Sequence, residues 1–157
     1  LPAAMHSFYL RAMYQENKLS AGEITLLDTP IDLTRIKTPS FILSTREDHI
    51  APWKSTFVAT RLYRGPTRFV LAASGHIAGV VNPPAANKYG YWTNDKKAKS
   101  PETWLEGATQ HDGSWWPAWQ QWLAAHSGAK GKPPAIGAAR SGYPVIDDAP
   151  GAYVRQR

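Results

Sequence analysis

Between residues 4 and 17 (AMHSFYLRAMYQEN) the apolar positions Met5, Phe8, Tyr9, Ala12 and Met13 recur at spacings of three and four, which predicts a helix with one apolar stripe. Gly22 closes that pattern, and EITLLD after it reads as a short strand or an extended connection. Thr29-Pro30 is a break. IDLTRI then predicts a single helical turn that drops Leu33 and Ile36 into a core. After a second break at Lys37-Thr38-Pro39 the helical period disappears. SFILST is a short apolar run bounded by breakers, the pattern of a strand buried on both faces in a parallel sheet.

REDHIA follows as a loop, and Pro52 is suited to the first position of a helix, where its missing N–H is not needed. That helix is predicted from PWKSTFVATRLY to Gly65, with Phe57, Val58, Leu62 and Tyr63 on its buried face. Gly65-Pro66 stops it, TRFVLAA is the next strand and SGH the loop beyond. Strand, helix and strand at this spacing predict a right-handed parallel crossover. NPP after His76 prevents a long regular element, and TNDKKAKSPETW is polar and turn-like until Ser100, Pro101 and Glu102, which form a capped helix start. SWWPAWQQWLAAHS predicts a last helix with Trp115, Trp119, Trp122 and Leu123 on one face and Gly128 as its stop. Residues 128–157 are rich in Gly, Pro and Ala, lack any period and read as an extended tail. No internal repeat is visible. The whole pattern predicts an α/β fold, a parallel sheet flanked by helices.

Composition narrows the picture. A length of 157 residues is enough for one domain with a real core. Seven Trp and seven Tyr favour a bulky core and a surface that meets something apolar. The net charge of +6 suits a phosphate-bearing partner such as coenzyme A or nucleic acid without choosing between them. Zero Cys excludes disulfides and thiolate metal sites and fits a cytoplasmic protein. No run approaches the roughly 18 apolar residues of a membrane helix, and the first residues lack the charged and apolar regions of a signal peptide. The chain opens on Leu1 rather than Met and reads as a fragment. KKAK (96–99) is a short basic run without an aromatic platform for bases, so it reads as a solvated loop and nucleic acid is not an expected partner.

The candidate chemistry lies just past the two strand-like runs. Asp48 follows FILST and His76 follows RFVLAA, at the carboxyl ends of successive strands, where α/β sheets place function. A carboxylate there can orient an imidazole and stabilise its cation. As single residues, Asp48 is equally a turn aspartate ahead of Pro52, and a loop histidine such as His76 is more often structural or merely exposed; the ordered pair is what favours a catalytic reading, with Gly75 letting the backbone approach other loops closely. His49, beside Asp48, is expected to line the pocket, as is Ile77. His6, His111 and His126 show no ligand spacing, so no metal site is expected. No G-x-S-x-G or G-x-C-x-G occurs, and Ser44, Ser74 and Ser114 lack the strand–turn–helix setting of a nucleophile elbow. The histidine therefore has nothing in this chain to deprotonate. The chain order acid then histidine is that of an α/β-hydrolase whose nucleophile comes earlier.

DLTRIKTPSFILSTREDHIAP resembles the acid-bearing segment of many α/β-hydrolases. TREDHIAPW, ASGHIAGVVNPP, YWTND and HDGSWWPAWQQWL together resemble a narrower group, the polyhydroxyalkanoate synthases, class I type. The likeness runs from ENKL near residue 16 to about residue 126, and more loosely to APGAYV. It implies the C-terminal part of one catalytic α/β-hydrolase domain, with 1–20 the end of a cap region, 21–127 sheet and helices, and 128–157 a tail. Enzymes of this family polymerise (R)-3-hydroxyacyl-CoA thioesters into polyester and release CoA, using a cysteine nucleophile, a histidine and an aspartate. The resemblance carries the histidine to His76 and the catalytic aspartate to Asp48, and leaves the cysteine in a missing N-terminal part. Asp48 acts on the incoming 3-hydroxyl either directly or through His76. No cofactor is implied. The family also implies a homodimer at the surface of cytoplasmic polyester granules. Two other readings stay open: a serine hydrolase of the same fold, such as a depolymerase or esterase, and a non-catalytic granule- or partner-binding piece using the Trp-rich helix.

Overall fold

The computed structural model describes residues 1–156. By chain contacts it divides into two compact units, Leu1–His126 and the segment from Ser127 onward. In the second, Ala138 and Tyr143 form an isolated antiparallel bridge, and short 3₁₀ turns cover Ala139–Ser141 and Tyr153–Arg155.

The first unit is built on a four-stranded sheet. Strand β1 (Ile24–Leu26) and β2 (Thr29–Ile31) make a separate antiparallel hairpin, joined by Leu27 and Asp28, both at positive φ (46° and 60°) as a two-residue turn of this hand requires. The sequence reading of Thr29-Pro30 as a break is thereby corrected. Leu-Asp is not one of the dipeptides that announce such a turn, so the pattern hid it. A 3₁₀ turn at Leu33–Arg35, capped by the Asp32 carboxylate accepting from the Thr34 N–H, is the predicted single turn, and Leu33 and Ile36 are half-buried.

The sheet itself runs β3 (Ser40–Thr45), β4 (Thr67–Ala72), β5 (Gly90–Thr93), β6 (Thr109–Asp112). The two predicted strands pair in parallel, Ser40 opposite Thr67 and Thr45 opposite Ala72. The remaining pairings are antiparallel, so the sheet is mixed rather than wholly parallel. Of the strands that make it so, β5 lies in the stretch after NPP that was read as irregular, and β6 lies between the two last predicted helices, where the pattern assigned no element. β6 (TQHD) is polar, and its place depends on backbone pairing with β5, on the Thr93 hydroxyl meeting His111 Nε2 at 2.8 Å, and on Tyr91 stacking on His111. None of these leaves a hydrophobic period. At the other side, no strand among the described residues pairs with the outer edge of β3.

Both faces of the sheet are covered because successive strand residues point to opposite sides. Phe69 and Leu71 of β4 face a cluster with Ile42, Trp53, Phe57, Trp92 and Trp104; Val70 and Ala72 face Phe41, Leu43, Tyr91 and Trp115. The first face is covered by α3 (Trp53–Thr56), α4 (Ala59–Leu62) and α5 (Pro101–Glu106). The predicted single helix from Pro52 is thus two short ones, and its buried anchors are Trp53 and Phe57, while Val58 is exposed. Ser100 caps α5 as expected, accepting from the Thr103 N–H at 3.1 Å. The second face is covered by α6 (Trp116–Ala125), with Trp115 and Trp122 against Phe41; Trp119 and Leu123 of the predicted face are exposed. Helix α6 ends at His126, before Gly128. Near the chain start, α1 (Ala3–Tyr9) and a π-helical stretch over Leu10–Gln15 replace the predicted helix of 4–17, followed by the short α2 (Lys18–Ala21); of the predicted stripe only Ala12 is buried.

Trp104 ties the first face together, its ring meeting Phe69 edge-on at 5.0 Å and Phe57 at 6.1 Å, with 3% of its surface exposed. Trp104→Ala in the full-length protein is expected to cost about 3–5 kcal/mol, read as a lowered denaturation midpoint.

Candidate active site

The parallel pair β3–β4 brings its two carboxyl ends side by side. The ladder continues past both strands: the Arg46 N–H donates to Ala72 O at 2.8 Å and the Glu47 N–H to Ser74 O at 3.1 Å. The acid loop and the histidine loop are therefore fastened at their roots. Beyond those bonds His76 Nδ1 lies 2.8 Å from Asp48 Oδ2. The sequence reading paired these residues by order alone; the structure makes them hydrogen-bonded partners 28 positions apart.

Asp48 is held by more than the imidazole. Its Oδ1 accepts from the Ile50 and Ala51 N–H groups, each at 2.9 Å, and the Thr45 hydroxyl donates to Oδ2 at 3.3 Å. The Asp48 side chain is 8% exposed, against 47% for His76. The Ala51 N–H first, then the His76 hydrogen bond, hold the Asp48 carboxyl far below the usual aspartate range, against the opposing effect of partial burial. An ionised carboxylate can only accept, so Nδ1 must donate. In the neutral ring the lone pair then sits on Nε2, on the half-exposed side chain. This is an oriented base whose cation is stabilised by the carboxylate behind it, suited to taking a proton from a nucleophile and returning it to a leaving group.

The other sequence candidates stand apart from the pair. His49 and Ile77 are exposed on the same two loops, Ile77 by 72%. Ser44 is tied to the Thr56 hydroxyl at 2.5 Å, and Ser114 accepts from the Trp116 N–H, so neither is directed at His76. His111 is engaged by Thr93 and His126 by Trp122 O. Among the described residues no three His, Asp or Glu side chains converge as metal ligands do, and no helix is long and apolar enough to cross a membrane. Gly75 is not the glycine that allows close approach, since a Cβ there would meet only Glu47 O at 3.9 Å. Two grooves lie elsewhere: one of about 480 Å³ beside α1 and β1, and a broader one of about 1080 Å³ at the amino end of β4, where Lys96 and Lys97 of the basic run meet Arg61, Arg64 and Arg68.

No family model matches the chain. Compared with curated proteins, it is 49% identical over its whole length to poly(3-hydroxyalkanoate) polymerase subunit PhaC of Cupriavidus necator and 47% identical to the subunit of the same name from Rhizobium meliloti. The chain belongs to the poly(3-hydroxyalkanoate) polymerase family. The resemblance drawn from TREDHIAPW and ASGHIAGVVNPP is borne out, and the likeness extends along the whole chain. A polymerase of Ectopseudomonas oleovorans, poly(3-hydroxyalkanoate) polymerase 2, is 38% identical, again along the whole chain. The chain spans about a quarter of the length of these relatives: 27%, 25% and 28%.

One residue packed beside the Asp48–His76 pair was not singled out from the sequence. Gly79 is buried, three positions after His76, and a Cβ there would lie 2.5 Å from both Ala73 O and Thr45 Cγ2. Thr45 is the residue whose hydroxyl donates to Asp48. The absence of a side chain at 79 thus lets the histidine turn seat directly on the acid loop. Its trace in the sequence is the second glycine of SGHIAG. Gly79→Ala should destabilise the full-length protein by about 1–3 kcal/mol and lower activity more than that loss explains, as seen by comparing melting temperature with kcat.

Proposed function

We propose that the full-length protein is a polyhydroxyalkanoate synthase of α/β-hydrolase fold, an acyltransferase that polymerises (R)-3-hydroxyacyl-CoA into polyester with release of CoA. This chain supplies its aspartate and histidine, Asp48 and His76. The observation that carries the reading is the 2.8 Å Asp48–His76 hydrogen bond, set in a chain 49% identical to a polymerase subunit.

His76 Nε2 takes the proton of a cysteine thiol supplied by the rest of the protein, and the thiolate attacks the thioester carbonyl. As the carbonyl re-forms, the acyl group is left on sulfur and CoA leaves with the proton returned by His76. His76 then removes the proton of a 3-hydroxyl, whose oxygen attacks a second acyl thioester; the carbon–sulfur bond breaks, the thiolate leaves with the proton that His76 returns, and the chain is longer by one ester. Asp48 acts through His76 rather than on the hydroxyl directly. Its oxygens already receive two backbone N–H groups, the Thr45 hydroxyl and the imidazole, and its side chain is nearly covered. His49 and Ile77, on the two loops that carry the pair, are read as walls of the acyl-binding pocket. The unpaired edge of β3 is the place where further strands of the full-length sheet would attach. The protein would work without a cofactor, as a homodimer at the granule surface in the cytoplasm.

Incubating the full-length protein with (R)-3-hydroxybutyryl-CoA tests this. Free CoA should appear in step with high-mass polyester, and both should stop after alkylation with iodoacetamide. Release of the monomeric hydroxy acid, insensitive to alkylation, would instead identify a serine hydrolase.

A further inference from the structure

The histidine turn is fastened to the acid loop on one side. On its other side it is held by residues nearly forty positions away. Residues 75–81 wind through one helical turn, with the Gly79 N–H on Gly75 O at 3.0 Å and the Val81 N–H on Ile77 O at 2.8 Å. The carbonyls of Gly79 and Val80 lie at the end of this turn, where a helix leaves its acceptors without internal donors. Trp115 Nε1 donates to Gly79 O at 3.1 Å, and Trp116 Nε1 donates to Val80 O at 3.0 Å, an oxygen that also accepts the Asn82 N–H. The Trp115 bond is buried, and its ring stacks on Phe41 of β3 and packs with Val70 and Ala72 of β4. The tryptophan is therefore fixed to the same two strands that carry Asp48 and His76.

We infer that Trp115 and Trp116 are positioning residues for His76: their indole N–H groups clamp the Gly79 and Val80 carbonyls and hold the histidine turn against the Asp48 loop. The indole N–H groups donate to the turn's carbonyls and not to His76. They act through the turn. The sheet would be covered as well by any aromatic ring at 115, but only a ring with an N–H at that place satisfies Gly79 O. The inference rests on the reading of His76 as the base, and it adds an adjacent Trp pair at the start of α6 to the residues that reading needs.

The test is the double variant Trp115→Phe with Trp116→Phe in the full-length protein, which keeps aromatic rings and removes both donors. Three quantities are read: kcat, KM, and the downfield Nδ1–H proton resonance of His76 in histidine-labelled protein. With the clamp gone, kcat should fall about 10- to 100-fold with KM within about twofold, and the Nδ1–H signal should broaden into exchange with water. A folded double variant with an unchanged Nδ1–H signal overturns the inference, whatever happens to kcat. Loss of the signal with kcat unchanged supports the clamp and overturns the role of His76 as base, so the two failures are distinct. If the double variant does not fold, Trp116→Phe alone, at a half-buried ring, is read by the same three quantities and the same outcomes.

Discussion

Replacing His76 with alanine in the full-length protein will lower kcat for CoA release by about 10⁴-fold or more. The expectation follows from what the ring supplies. In the proposed reaction a thiol and a hydroxyl each lose a proton during a cycle, and the base oriented for it among the described residues is His76 Nε2, fixed by the Asp48 bond behind it. The side chain is half exposed, so its removal leaves no large cavity and should change stability by only about 1 kcal/mol. Loss of turnover with a nearly unchanged melting temperature is therefore the expected signature. Retention of polymer synthesis in the variant would rule out His76 as the base.

Asp48→Asn should lower kcat by about 10⁴-fold as well, for a different reason. An amide nitrogen facing Nδ1 makes that nitrogen an acceptor and moves the ring proton to Nε2, where the base is needed. The same variant carries a pH signature. In the folded protein Asp48 stays ionised well below the ordinary aspartate range, because the Ala51 N–H and His76 favour the charged form. A depressed carboxyl pKa contributes stability above the unfolded value and loses it as pH falls. The unfolded chain begins to take up its proton near pH 4, and stability then drops with pH because the unfolded state binds more protons. The gap in melting temperature between wild type and Asp48→Asn should be widest at neutral pH and narrow progressively below about pH 4. A gap that is constant from pH 7 to pH 3 would show that the carboxylate contributes nothing as an anion.

Much of this was legible in the residues. β3 and β4 announced themselves as apolar runs between breakers because a strand buried on both faces has nowhere to place a polar side chain. Ser100-Pro101 marked the start of α5 because a cap and an N1 proline are local requirements. What escaped were elements whose stability is not local. β6 is polar and exists through its ladder to β5; the hairpin turn at Leu27 and Asp28 uses residues that rarely adopt positive φ; the helix after Pro52 is broken in two, so Val58 turned outward.

The candidate site divides the same way. The sequence by itself determined which residues are the candidates for the chemistry and in what order they come, since Asp48 and His76 follow directly from strands whose apolar pattern is strong, and the wording around them was specific enough to place the family. Only the tertiary structure decided that the two side chains touch, that the Asp48 carboxylate also receives two backbone N–H groups and the Thr45 hydroxyl, and that the Trp115 and Trp116 indoles donate to the Gly79 and Val80 carbonyls. The physical reason is range. A strand or a cap is written in neighbouring residues, whereas a hydrogen bond between positions 36 apart depends on which face of the sheet each element covers, and no local pattern encodes that.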